Sequence, residues 1–124
     1  MDKKEAAVEL KHNGFNCAQA VLCAYEDELG VPQEILKKIG ARFGVGMGCM
    51  EATCGALCAA QMVIGLKKYD DRPILRDAAT ALRLFNEKCG ATLCKDLKGK
   101  DTGIVLCECD DCVRRAVEVV TEMT

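Results

Sequence analysis

The sequence predicts an all-α fold: a single-domain, compact helical bundle of about five to seven helices spanning residues 1–124. Three observations carry that expectation. Apolar residues recur at helical spacing along most of the chain, and glycines fall where those runs end. Only Thr102 to Cys107 has strand character, too little to found a sheet. At 124 residues, half of them hydrophobic, the chain can bury a core without disulfide staples. No repeat, low-complexity tract or linker marks a second domain.

Residues 2–13 carry a modest apolar stripe of Ala6, Val8 and Leu10, with Phe15 beyond it, that ends at the Asn13-Gly14 turn. Asn16 can cap a second helix, in which Ala18, Val21, Leu22, Tyr25 and Leu29 share one face until Gly30 stops it. Pro32 sits where a first helical turn tolerates it, and Ile35, Leu36 and Ile39 form a short helix closed by Gly40. A glycine loop, Gly44-Val45-Gly46-Met47-Gly48, leads into a helix from about Thr53 to Lys68.

After the Asp70 to Pro73 turn, Ile74, Ala78, Ala81, Leu82, Phe85 and Cys89 form one stripe of a long helix that ends at Gly90. Ala91 to Leu97 can form another short helix. The last helix starts at Asp110 or Asp111 and carries Val113, Ala116, Val117 and Val120 inward.

Composition excludes several functions. The net charge is −2, and basic residues are spread among acids with no aromatic-interleaved basic run, so nucleic acid is not an expected partner. Ala52 to Leu66, the longest apolar stretch, is interrupted and too short to span a bilayer. Ten cysteines are the one anomaly. The N-terminal residues read as a charged amphipathic helix without an apolar signal core, so the expected setting is cytoplasmic. There thiols stay reduced, and clustered cysteines bind metal or do redox work; export would bring back five disulfides.

The cysteines sort by position. Cys17, Cys54 and Cys112 lie at helix starts and Cys94 just after the Gly90 break, where side chains from four segments can converge. Helix N-termini present unpaired N–H groups and positive dipole ends, which favour thiolates. Cys23 and Cys89 read as small buried hydrophobes among apolar neighbours. Cys58 follows Cys54 by one turn and reads either as a ligand or as helix lining. Cys107, Cys109 and Cys112 form C-x-C-x-x-C, a redox-dithiol geometry whose flanking acids Glu108, Asp110 and Asp111 oppose a lowered thiol pKa. A zinc ribbon needs two C-x-x-C knuckles and only one is present. Cys49-x4-Cys54-x3-Cys58 misses the plant-type ferredoxin spacing by one residue.

Four stretches together carry a resemblance: Asn16-Cys17-Ala18-Gln19-Ala20-Val21; Gly46-x-Gly48-Cys49 with Cys54-Gly55-Ala56; Phe85-x4-Gly90-x3-Cys94-x2-Leu97; and Cys112 before an apolar helix. In that order they resemble the C_GCAxxG_C_C family of redox-active proteins, over nearly the whole chain. The resemblance implies a cysteine-rich helical domain whose four pattern cysteines fall on Cys17, Cys54, Cys94 and Cys112. A similar domain in split-Soret cytochromes points towards an iron–sulfur centre. Ala59 stands where the pattern has glycine.

The remaining residues read more plainly. His12 is expected to be solvated, Met47, Met50 and Met62 to fill gaps, and the glycine loop to bind no nucleotide, since no strand precedes it. Glu51 has no catalytic partner, and no nucleophile, base or substrate pocket can be named.

Three functions from different classes follow. The first is an iron–sulfur electron carrier or sensor, with Cys17, Cys54, Cys94 and Cys112 as ligands, Cys49 or Cys58 as substitutes, and Gly46, Gly48 and Gly55 against the cofactor. The second is a metal-free thiol–disulfide protein using Cys109 with Cys112, or Cys54 with Cys58. The third is a structural zinc domain. A redox partner protein of unknown identity and a homodimer are compatible with all three.

Overall fold

A computed structural model describes residues 2–124. Among the described residues there are eight α-helices and one π-helical turn, and no strand. The helices are α1 (Lys3–His12), α2 (Cys17–Ala24), α3 (Glu26–Leu29), α4 (Gln33–Gly40), α5 (Gly55–Lys68), α6 (Leu75–Cys89), α7 (Cys94–Lys98) and α8 (Cys109–Met123). The class is all-α as predicted, but nine helical segments replace the expected five to seven. The surplus comes from single turns such as α3 and α7, too short for periodicity to reveal and held by their surroundings.

At the centre α2 and α8 pack against α5; α1 lies across α2 and α8, α4 backs α2, and α6 backs α8. One shared core contains Val21, Leu22, Leu57, Val63, Phe85, Val113 and Val117. Each such side chain taken fully from water contributes roughly 1.5–3 kcal/mol. Ala18, Ala56, Ala60 and Ala116, fully buried, let the central helices approach closely. Ala59 is fully buried too, in the body of α5.

Several stripes are narrower than the sequence suggested. Only Leu36 and Gly40 of α4 are buried, while Ile35, Ile39 and Leu82 face solvent. The second predicted helix breaks at Tyr25, whose buried ring lies beneath the ammonium groups of Lys3 and Lys67, 5.1 and 5.7 Å from its centroid. Thr102 to Cys107 forms turns and bends rather than a strand.

Local chemistry fixes the end of the bundle where the cysteines gather. Asn16 and Gln19 form a capping box: Gln19 N donates to Asn16 Oδ1 at 2.8 Å, and Asn16 N donates to Gln19 Oε1 at 2.9 Å. Asn16 Nδ2 also donates to Gly40 O at 3.1 Å, and Gln19 Nε2 to Lys37 O at 2.9 Å, tying the first turn of α2 to α4. An isolated antiparallel bridge, Thr53 to Leu93, joins the entries to α5 and α7. Within it Cys54 N donates to Thr92 O at 2.8 Å and Cys94 N to Ala52 O at 3.0 Å.

Candidate metal centre

Helix starts deliver five of the ten cysteines. Cys17 is the first residue of α2, Cys54 the N-cap of α5, Cys94 the first residue of α7, and Cys109 and Cys112 lie in the first turn of α8. All five line one cavity of about 380 Å³, together with Lys98, Val45 and Met50 on an otherwise mainly apolar wall. That volume equals roughly a dozen water molecules. A more open depression beside α1 is lined by Lys3, Glu9, Glu26 and Asp27 and by a single cysteine, Cys23, so it gathers no ligand set.

Glycine shapes the wall at two points. A Cβ added at Gly55 would stand 2.8 Å from Cys17 Sγ and 2.3 Å from the Phe43 carbonyl oxygen; one at Gly46 would stand 2.6 Å from Cys94 Cβ. Backbone is therefore pressed against two of the sulfur-bearing side chains, as only glycine permits. Gly48 differs, since a Cβ there would meet nothing within 4 Å. Val45, Met47 and Met50 of this loop have φ of 53°, 60° and 65°, a left-handed backbone that is strained for such side chains. Two of the three, Val45 and Met50, face the cavity.

Electrostatics keep the unliganded thiols protonated. Cys17 is raised by its hydrogen bond with Cys54 and by burial, against the opposing Val45 backbone N–H. Cys54 is pushed up to about 12 by its hydrogen bond with Cys112 and by burial. In Cys112 the bond with Cys54 acts downward, but the bond with Cys89 and burial prevail. Burial also raises Cys94. Sulfur contacts thus run from Cys17 through Cys54 and Cys112 to Cys89, and all ten cysteines are free. The counter-charge is Lys98, whose Nζ lies 3.8 Å from Cys112 Sγ. Burial pulls its pKa down, but the bond to Cys109 and, wherever Cys112, Cys109 or Cys54 is a thiolate, the charge of that sulfur push it up and prevail.

The four cysteines proposed from helix position, Cys17, Cys54, Cys94 and Cys112, share the cavity. Cys49 and Cys58 do not line it: Cys49 is exposed on the glycine loop, and Cys58 is half-buried with its Sγ donating to Thr53 O at 4.0 Å. Cys23 is buried, its Sγ donating to Gln33 O at 3.8 Å, in keeping with a core residue. His12 is exposed, 2.7 Å from Asp110.

Two features escaped sequence reasoning. Lys98 follows Cys94 by four residues, a spacing that puts both on one helix face and could have flagged it. Cys89, read as core filling, is buried, but its sulfur also groups with those of Cys107 and Cys112, all mutually within 4.8 Å. Among the described residues this is the only trio of potential ligand atoms drawn so close.

A family model described as "Putative redox-active protein (C_GCAxxG_C_C)" matches residues 15–123. The chain belongs to this family. The C_GCAxxG_C_C match takes in all ten cysteines and leaves α1 outside. No curated protein and no solved structure matches the chain. Family membership supplies redox activity as a class, and the Cys89, Cys107 and Cys112 group is a place where a metal could be held. No helix among the described residues is long and apolar enough to cross a membrane.

Proposed function

We propose that the protein holds an iron–sulfur cluster in the five-cysteine cavity, with Cys17, Cys54, Cys94 and Cys112 as ligands, and works in electron transfer or redox sensing. The observation that carries this reading is the convergence of sulfurs from the starts of four helices on one space of about 380 Å³. A single tetrahedral zinc with 2.3 Å bonds would need sulfurs about 3.8 Å apart. The cavity sulfurs yield no trio mutually within even 4.8 Å, which counts against a single zinc.

The donor set fits as well. Thiolates suit iron–sulfur centres, and such a cluster, when bound, supplies one-electron transfer. Gly46 and Gly55 keep the wall thin behind Cys94 and Cys17. Lys98 places a positive charge where thiolate charge accumulates. The apolar lining limits water around the sulfurs and so helps set a potential. Free thiols require a reducing compartment, so a cytoplasmic setting forms part of the proposal. The raised thiols of Cys54, Cys58 and Cys112 weigh against the metal-free dithiol alternative, because the thiolate is the attacking species.

Purification without oxygen, followed by iron and sulfide analysis and a visible spectrum, tests the reading. Brown protein whose absorbance and iron disappear in Cys17→Ser and Cys94→Ser, but persist in Cys23→Ala, is the expected result. Colourless wild-type protein that takes up no iron on anaerobic reconstitution would refute it.

A further inference from the structure

We propose that Cys89, Cys107 and Cys112 form an alternative metal site in protein without the cluster, which takes one copper(I) ion through three thiolates; it shares Cys112 with the proposed cluster, so the two are not filled together. The three sulfurs come from separate places: the last residue of α6, the end of the loop that precedes α8, and the first turn of α8. Their atoms lie mutually within 4.8 Å, and the residues are only 4%, 9% and 1% exposed. Cys107 and Cys112 meet across the start of α8, where Cys112 Sγ donates to Cys107 O at 3.6 Å, and Cys89 joins them from the end of α6, a meeting that apolar core packing does not require.

Three mutually close donors decide the kind of ion, since Cys54, which contacts Cys112, is not drawn within 4.8 Å of all three. Among the described residues no imidazole or carboxylate joins the group within that distance, and its burial leaves no ready place for a water ligand. Zinc completes a tetrahedron and would be left a ligand short. A cluster needs volume, yet neither Cys89 nor Cys107 lines the large cavity. Copper(I), a soft d¹⁰ ion, is satisfied by three thiolates.

On binding, three thiol protons pass to the buffer and the ion keeps its oxidation state, so no electron donor or acceptor is required. Lys98 beside Cys112 offsets part of the negative charge that remains. Residues 100–106, all exposed, lead into Cys107 and are anchored to α7 by Leu106 N and Cys107 N donating to Leu97 O at 3.0 and 3.3 Å.

The test uses the full chain, reduced, metal-free and under nitrogen, titrated with copper(I) from a competing chelator. One ion per chain in a shell of three sulfurs by X-ray absorption is expected. Cys89→Ala and Cys107→Ala should each weaken binding by roughly a hundredfold or more. Both variants should keep wild-type helix content and iron uptake, and two positions are used in case one variant fails to fold. Cys94→Ala should lose iron yet keep copper, which separates failure of this site from failure of the iron–sulfur reading. Copper retained at full strength by both variants, copper lost in Cys94→Ala, or displacement of copper by equimolar zinc would each overturn the proposal.

Discussion

Gly55 and Cys17 are pressed together: a methyl carbon at residue 55 would stand 2.8 Å from the Cys17 sulfur, and the Phe43 carbonyl oxygen would be closer still at 2.3 Å. Because the nearest obstacle is backbone, rotamer changes cannot relieve it. Gly55→Ala is expected to destabilise the protein by about 1–3 kcal/mol and to lower iron content. Gly65, on the same helix, has nothing within 4 Å of an added Cβ. There the same substitution should stabilise by about 0.5–1 kcal/mol. Urea midpoints for the pair check the opposite signs.

Asn16 does two jobs at the start of α2, accepting from Gln19 N and donating to Gly40 O. Asn16→Ala should cost about 1–2 kcal/mol, while Asn16→Asp should keep the cap and lose only the donation. Chemical denaturation measures both, and equal losses would show that the cap contributes nothing.

Lys98 is the cation nearest Cys112, at 3.8 Å. In protein carrying the proposed cluster, Lys98→Met should move the reduction potential to a more negative value, since an electron then enters a centre with less compensating charge. Lys98→Arg should restore most of the difference. Voltammetry of the three proteins gives the answer, and an unchanged potential in Lys98→Met would remove the lysine from the tuning of the site.

Metal-free protein should lose stability as the pH climbs from about 9 to about 12. Cys54 has its thiol raised from the ordinary 9.0 to about 12 by its bond with Cys112 and by burial. Between those values the folded chain keeps a proton that the unfolded chain has released, so rising pH favours unfolding. Below about pH 9 the contribution is fully present. Urea midpoints measured across this range should fall less steeply in Cys54→Ala than in wild type, and parallel slopes would contradict the linkage.

Legibility in the sequence followed the range of the forces involved. Asn16 before an apolar run, Gly30 and Gly90 after one, and the stripe of α8 are local signals, and each marks a helix end or face in the structure. The four cysteines at segment starts were legible for the same reason, since a helix start is a local property with a spatial consequence. The trio of Cys89, Cys107 and Cys112 was not, because it depends on how α6 lies against α8. The exposure of Ile35, Ile39 and Leu82 depends likewise on which neighbours cover a face, and periodicity cannot say that a stripe is left uncovered.

The paired hydrogen bonds between Ala52, Cys54, Thr92 and Cys94 join positions forty residues apart. Closing so long a segment carries an entropy penalty that only the finished packing of α5, α6 and α8 can repay. A nascent chain that ends before residue 94 therefore has no vessel for the proposed cluster, however many thiols it has already exposed. On that proposal, loading follows folding, and the guest enters a completed molecule rather than an emerging one.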